Sequence, residues 1–260
     1  MFSWPFDPTV YGGFIALAAG HYWLASGLPD VRRSHRLWFG AGLLTLWLAL
    51  ETPIDTISDN YLDSVHMLQH VLIGFIAPPL MLLGLSSGMA ARLVRAPGVR
   101  AATEPIPAQV MAGLVMIGWH VPVLYEATLY NEWIHVVEHI TFIAGGLLLF
   151  WPMIETTSAY SRHHMSPAGK LVYMAIATLP QDGVALALIF SRVSFYEYYA
   201  HAPRVIPGFT AVIDQTIAGA VLMILGKVTM ATAALAVFFN WFGHEQAADR
   251  GLESPTALSH

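Results

Sequence analysis

The chain has 260 residues, of which 56% are hydrophobic and 11% are charged, and its formal net charge at neutral pH is -5. A typical soluble domain has about 25% charged residues, so this composition excludes an ordinary soluble protein, and we expect a lipid bilayer and no nucleic acid as its partner. The chain contains no cysteine, which excludes disulfides, thiolate metal ligands and cysteine nucleophiles.

Hydrophobic segments that approach the roughly 20 residues needed to cross a bilayer recur along the whole chain. We predict seven helices, over Val10–Gly27, Leu37–Leu50, Val65–Leu85, Ala108–Leu124, Trp133–Ile154, Lys170–Phe190 and Val212–Phe242. Pro78 and Pro79 interrupt the third helix and Pro180 the sixth, which is tolerated where neighbouring helices satisfy the freed carbonyl groups. The predicted fold class is an all-α polytopic membrane bundle that forms one integral membrane domain over residues 1–260.

The basic residues of the loops predict the orientation of this bundle. Nine of them fall on one side, namely Arg32, Arg33, Arg36, Arg92, Arg95, Arg100, Arg162, Lys170 and Arg250. The other side has Arg192 and Arg204 together with many acidic residues. Because cytoplasmic loops are enriched in lysine and arginine, we expect the amino terminus outside and the carboxyl terminus in the cytoplasm.

Two histidine pairs stand at the predicted outer ends of the third and fifth helices. The sequence HMLQH at residues 66–70 opens the third helix, and HVVEH at residues 135–139 opens the fifth. Residues four apart lie on one face of a helix, so each pair can direct two imidazoles at one point. His120 ends the fourth helix on the same side. Ionisable groups inside a membrane are costly and usually functional, so this convergence predicts a metal site in the outer leaflet.

The donor types in these motifs indicate which metal the site would hold. The predicted ligands are His66, His70, His135 and His139, with His120 as a further ligand. Imidazole suits copper, zinc and iron alike, whereas a methionine thioether favours Cu(I). Met67 lies inside the first pair and is a candidate exchangeable ligand, so we expect copper as Cu(I). Glu138 is expected to lie behind the ligands and to orient one imidazole.

Other chemistries stay open for the same residues. His135, Glu138 and His139 fit the His-x-x-Glu-His pattern that some zinc peptidases use with glutamate as the base, which would make the protein a zinc-dependent hydrolase. Histidines on facing helices can also ligate a b-type haem, although close pairs crowd two macrocycles onto the same helix faces. In the plainest alternative the imidazoles hydrogen-bond to backbone carbonyl groups or to nearby acids and hold no metal, which would make the protein a metal-free scaffold. We expect a binding protein and not an enzyme.

Three further polar residues lie within or beside the predicted helices. Asp182 in the sixth helix and Lys227 in the seventh are intramembrane charges, and such charges usually pair. Their depths differ by roughly two helical turns, so Lys227 would have to bend towards its partner. Asp214 stands at the outer start of the seventh helix, where it is either a helix cap or a group behind the metal ligands.

Several of these motifs occur together in a known family. The relevant stretches are 66–70 followed by APPL at 77–80 and LG at 83–84, WHVP at 119–122 with LY at 124–125, 135–139 with Phe142, then Pro152, FS at 190–191, and DQ at 214–215 with AG at 218–219. In this order they resemble the multi-pass CtaG family of cytochrome c oxidase assembly factors. The resemblance covers the chain from the third helix to the seventh.

The resemblance implies a seven-helix protein of the bacterial inner membrane that is needed to assemble active cytochrome c oxidase. It also implies copper handling, so the expected function is that of a metallochaperone that delivers or inserts copper during oxidase maturation. The expected partners are the oxidase subunits and a periplasmic copper donor, with the metal site on the periplasmic side. The five histidines match the histidine positions of the family. Lys227 departs from the small or apolar residues expected there.

Overall fold

The computed structural model describes residues 3–253, with side chains up to residue 243 and at 245 and 246. The side chain of Arg250, one of the nine basic residues counted above, lies outside the described part. Within residues 3–253 the chain forms helices and turns, and no strand is present. The predicted all-α class is therefore confirmed.

The helices follow one another with short connections. They are α1 (Pro8–Ala25), α2 (Arg33–Leu50), α3 (Pro53–Asn60), α4 (Asp63–Val71), a π-helical turn (Leu72–Ile76), α5 (Ala77–Leu83), α6 (Ser87–Leu93), α7 (Pro97–Ala102), α8 (Pro105–Trp119), α9 (Pro122–Tyr130), α10 (Glu132–Phe150), α11 (Glu155–Ser158), α12 (Pro167–Ala177), α13 (Leu179–Phe190), α14 (Glu197–His201) and α15 (Ala211–Glu253).

Four stretches of the described chain are long and apolar enough to cross a membrane. They are Asp63–Leu83, Glu132–Phe150, Pro167–Phe190 and Ala211–Gly243. Two further pairs of helices would each count as one bent span, α2 with α3 at 44° and α8 with α9 at 71°, which brings the number to six. The membrane character of the chain is thus supported, whereas seven spans and the orientation of the termini stay predictions.

Prolines divide the predicted helices into shorter pieces. The third predicted helix consists of α4, the π-helical turn and α5, because Pro78 and Pro79 have no N–H to donate to the preceding turn. The N–H of Ala77 bonds to the carbonyl of Leu72 instead, which widens the helix directly after His70. The fourth helix is predicted to run to Leu124. It ends at Trp119 instead, because Val121, the residue before Pro122, has an extended backbone.

A close crossing of two helices sets the position of the histidine motifs. The helix α10 packs against the π-helical turn and α5, while α4 packs against α3 and α15. A side chain at Gly146 would collide with the carbonyl oxygen of Gly74 and with the ring of Pro78. The absence of a side chain at Gly146 therefore lets α10 approach the helix that carries His66 and His70.

The two ends of the bundle differ in charge. One end, hereafter the acidic end, consists of residues 51–62, 120–132 and 191–210, which include α3 and α14. At this end the N–H of Asp7 bonds to the carboxylate of Glu51. At the opposite end, hereafter the basic end, Arg92 donates to the carbonyls of Leu24 and Ser26. Glu104 at the basic end accepts hydrogen bonds from the loop at residues 162–163. This segregation follows the distribution of charge expected from the sequence.

Candidate metal centre

The first histidine pair lies in the interior of the bundle, on the face of α4 that looks towards α10. His66 and His70 are completely buried, and their Nε2 atoms lie 2.9 Å apart. The rings meet edge to face with their centroids 4.4 Å apart. The four-residue spacing has therefore brought two ring nitrogens to one point, as the helical periodicity requires.

Glu138 of α10 places its carboxylate beside this pair. Its Oε1 lies 3.5 Å from Nε2 of His70, and its Oε2 lies 3.8 Å from Nε2 of His66. A third imidazole, that of His135, has its Nε2 3.9 Å from the same Oε2. The sequence predicts Glu138 behind the ligands, whereas the structure places its carboxylate among the imidazoles, where it can itself be a ligand.

Several polar atoms of this group have no hydrogen-bond partner, although they are buried. They are both carboxylate oxygens of Glu138, Nδ1 of His70, and the Nε2 atoms of His135 and His139. Burying such groups without partners is unfavourable by several kcal/mol for a charge, and native structures avoid it. A cation bound between Glu138 and the Nε2 atoms of the histidines would satisfy all of them except Nδ1 of His70, so the donor set fits a metal ion.

The possible ligands form three overlapping groups. In each group one donor atom per residue lies within 4.8 Å of the others. The groups are His66, His70 and Glu138; His135, Glu138 and His139; and Asp59, His66 and His135. The sharing of Glu138, His66 and His135 joins them into one continuous set. We refer to the buried members of this set, His66, His70, His135, Glu138 and His139, as the metal centre; Asp59 is partly exposed and lies at its edge.

A hydrogen-bond chain fixes which nitrogen of His66 carries the proton. The hydroxyl of Tyr199 donates to the carbonyl of Ser58 at 2.6 Å, so it accepts from Nδ1 of His66 at 3.1 Å. The lone pair of His66 is then on Nε2, which faces the metal centre. An oxygen acceptor behind a ligating imidazole is the usual way to set its tautomer.

His120 and Met67 form a second set of donors next to the metal centre, hereafter the soft pair. Nδ1 of His120 lies 2.6 Å from the carbonyl of Met116, which can only accept, so its Nε2 carries a lone pair. That Nε2 lies 3.2 Å from the sulfur of Met67, which is completely buried. The ring centroids of His120 and His70 lie 5.5 Å apart. The soft pair therefore adds one imidazole nitrogen and one thioether sulfur to the possible ligands, on the side of His70 where His120 lies.

Asp214, the predicted cap or outer group, acts on the backbone of another helix. Its carboxylate accepts the N–H groups of Asp63 and Ser64 at 2.8 and 3.1 Å, and thereby caps the start of α4. The start of α15 is thus fastened to the helix that carries the first histidine pair. Asp182 and Lys227 lie apart from the metal centre and bond to each other at 2.5 Å, with Thr178 as a second acceptor.

Sequence reasoning missed three residues of this region. Asp59 lies 3.6 Å from Nδ1 of His135, Tyr199 contacts His66, and Tyr125 donates to Asp63 at 2.6 Å. Asp59 stands seven residues before His66, so the acids preceding the first histidine pair were a usable signal. Tyr125 stands in the same family motif as His120, which was a second signal, whereas Tyr199 comes from a distant segment and no local pattern indicates that it meets the histidines.

Comparison with protein families shows where this arrangement belongs. Residues 15–244 match the family described as cytochrome c oxidase caa3 assembly factor (Caa3_CtaG). The chain belongs to this family. The matched region contains every residue of the metal centre and the soft pair. Comparison with curated proteins and with solved structures finds no significant match.

Proposed function

We propose that this member of the cytochrome c oxidase assembly factors binds copper at the metal centre and delivers it to the oxidase during maturation. The observation that carries the proposal is the carboxylate of Glu138, completely buried among imidazole nitrogens with neither oxygen hydrogen-bonded. A carboxylate in that position needs a positive charge beside it, which a bound metal ion would supply. The family supplies the recipient, since its members serve the assembly of cytochrome c oxidase.

The donor set favours copper as Cu(I). Histidine alone does not separate copper from zinc, but the soft pair adds a thioether 3.2 Å from an imidazole nitrogen. Thioether sulfur prefers Cu(I) to harder ions. Met67 and His120 are therefore the residues that would give copper its advantage. Their position beside His70 lets an ion exchange ligands without leaving the bundle.

The geometry gives less support to haem or to hydrolysis. The Nε2 atoms of His66 and His70 are 2.9 Å apart, so the rings meet directly where a macrocycle would have to lie. Glu138 has no exposed surface at which a peptide could meet it, as a base in a zinc hydrolase would need. A small ion held by several side chains suits the same space.

Copper exchange is expected to take place on the periplasmic side of a bacterial inner membrane. The metal centre lies near the acidic end of the bundle, and the basic residues cluster at the other end. The positive-inside rule assigns the basic end to the cytoplasm. A periplasmic copper donor would thus meet the protein at its acidic end, and the copper would pass on to the oxidase by ligand exchange.

The proposal can be tested in cells that lack the chromosomal copy of this protein. We expect the wild-type chain to restore oxidase activity and oxidase copper, and His66→Ala or His139→Ala to restore neither, at equal abundance in the membrane. His201→Ala is the matched control, because His201 is exposed at the acidic end and lies outside the metal centre. Full oxidase copper with both histidines removed would refute copper delivery and favour a metal-free scaffold.

A further inference from the structure

A cleft at the acidic end leads from the surface to the metal centre. It has a volume of about 410 Å³ and runs between α1, α3, α9 and α10. Its acidic lining residues are Asp7, Asp55, Asp59 and Glu132, and no lysine or arginine of the described part of the chain lines it. His135 and His139 lie at its inner end. We call this cleft the vestibule; its charge attracts cations and repels anions.

His135 stands between the vestibule and the interior and offers one nitrogen to each. Its Nδ1 lies 3.6 Å from Oδ2 of Asp59, which is partly exposed in the vestibule. Its Nε2 lies on the other side of the ring, 3.9 Å from Glu138, and has no hydrogen-bond partner. One imidazole therefore contacts both the acid of the vestibule and the acid of the metal centre.

One oxygen of Asp59 contacts a buried hydroxyl, and the other faces His135. The hydroxyl of Ser58 lies 2.8 Å from Oδ1 of Asp59, which leaves Oδ2 facing His135. Ser58 is itself completely buried, and its carbonyl accepts from Tyr199, the residue that sets the tautomer of His66. The orientation of Asp59 is thus linked to that of the metal centre.

We propose that Asp59 and His135 form a gate for the copper ion. The ion first binds between Oδ2 of Asp59 and Nδ1 of His135, then exchanges these donors for Glu138 and the inner imidazoles, and leaves by the reverse route. The inner donors that take over are Glu138, His66 and His70, while Nε2 of His135 keeps its proton, so the ion keeps its charge and only metal–ligand bonds change. This inference rests on the proposed function and adds the route of exchange to it.

The alternative role for Asp59 is that of a positioning residue that only orients the His135 ring. The two roles have different kinetic consequences. A gate lies on the path of both uptake and release, so its loss slows both rates and leaves the dissociation constant unchanged. Loss of a positioning partner weakens metal binding itself, typically by about 10–100-fold.

The test uses the full-length protein in detergent micelles. Cu(I) bound to bicinchoninate is mixed with it in a stopped-flow instrument, and the loss of colour gives the rate of uptake. Excess bathocuproine disulfonate added to the loaded protein gives the rate of release. For Asp59→Asn we expect both rates to fall by about tenfold, as the loss of one favourable contact in a rate-limiting step would produce, with unchanged copper content and affinity.

Glu132→Gln is the matched control, because it removes one charge from the same vestibule but lies outside the three ligand groups. Loss of electrostatic steering alone should slow uptake by less than about threefold, and the effect should vanish at high salt. Equal slowing by both variants would overturn the gate, and so would wild-type rates in Asp59→Asn. If Asp59→Asn binds Cu(I) more weakly and does not release it more slowly, Asp59 is a positioning residue that only orients the His135 ring. If wild-type protein binds no Cu(I), the proposed function itself fails.

Discussion

At the residue scale, the identity of Glu138 decides what the metal centre can do. Its carboxylate lies within 4 Å of nitrogens of three histidines, and neither oxygen has a hydrogen-bond partner. An imidazole cluster alone could be neutral, but a buried carboxylate needs a positive charge near it. Glu138 is therefore the residue on which the proposal of a bound cation depends.

Replacing Glu138 by glutamine tests this assignment with almost no change of shape. We expect copper affinity to fall by at least about tenfold, because one anionic ligand is lost. The metal-free variant should unfold at a higher temperature than metal-free wild type, because an uncompensated buried charge has been removed. Tryptophan-fluorescence melts with and without Cu(I) measure both effects, since a bound ligand raises the melting temperature. A lower melting temperature of the metal-free variant would contradict the unpaired state of this carboxylate.

The copper proposal assigns the preference between metals to Met67. Met67→Leu keeps the volume of the side chain and removes the sulfur next to His120, so we expect Cu(I) affinity to fall while Zn²⁺ affinity stays within about threefold. Met89→Leu is the control, since Met89 is equally buried but lies in α6. Competition titrations with both metals provide the measurement. A parallel loss of both affinities would show that Met67 acts through packing and not as a soft donor.

At the element scale, the sequence predicts helix bounds well where apolar segments are long and uninterrupted. It predicts them poorly where a proline ends or distorts the helix. The fifth predicted helix corresponds to α10, and the sixth corresponds to α12 and α13 together; the outer bounds of both agree with the prediction within a few residues. The fourth predicted helix ends five residues early, at Trp119, and the third contains a π-helical turn that no periodicity reveals. Pro78, Pro79 and Pro122 were visible, but the backbone response to a proline depends on the neighbouring helix.

The crossing at Gly146 is the element-scale feature that brings the two histidine pairs together. Gly146→Ala would press a methyl group against the Gly74 carbonyl and Pro78, so we expect a loss of about 1–3 kcal/mol in stability and less copper bound. Gly145→Ala is the adjacent control, because a methyl group there meets Ala112 and Val115 at 3.7 Å, an ordinary contact. Thermal melts and copper content compare the two. Equal stability of both variants would mean that this crossing tolerates displacement.

A carboxylate at the basic end gives a stability change with a defined pH dependence. Burial opposes ionisation of Glu104, but hydrogen bonds from the N–H groups of Arg162 and His163 and from the His163 ring outweigh it and lower its pKa. The carboxylate therefore stabilises the fold above the unfolded-state pKa of about 4.3, and this contribution disappears as pH falls through the lower folded-state pKa.

Glu104→Gln should accordingly be less stable than wild type at pH 7, by about 1.5 kcal/mol for charged hydrogen bonds. The difference should shrink towards zero as the pH is lowered below about 4. Melting temperatures of both proteins across this range provide the measurement. A difference that grows on acidification would show that the carboxylate is not the stabilising form.

At the scale of the whole molecule, the sequence predicts which polar residues lie in the membrane-spanning helices, but only part of how they meet. The sequence alone identifies all five histidines and the charge difference between the ends of the bundle. It does not show that Asp59 and Tyr199 meet the histidines, because those contacts depend on how α3 and α14 fold over the acidic end. A separate ion pair, Asp182 with Lys227, joins α13 to α15.

This pair should behave as one unit in stability. Asp182→Asn or Lys227→Met alone leaves a single charge in a membrane-spanning segment, and we expect each to lose roughly 1–3 kcal/mol, less than a fully buried pair would, because Lys227 is 47% exposed. The double variant should recover most of that loss, since both charges are then gone. Melting temperatures of the four proteins complete the cycle. Additive losses would show that the two side chains do not depend on each other.

The most direct test of copper binding is the metal content of purified protein after Cu(I) loading, measured by plasma mass spectrometry with an absorption spectrum of the same sample. Copper delivery predicts about one equivalent of copper in wild type, bound by imidazole and thioether donors, and its loss in His66→Ala, His139→Ala and Glu138→Gln. No copper in loaded wild type, or copper retained in all three variants, would contradict a metal centre at these residues.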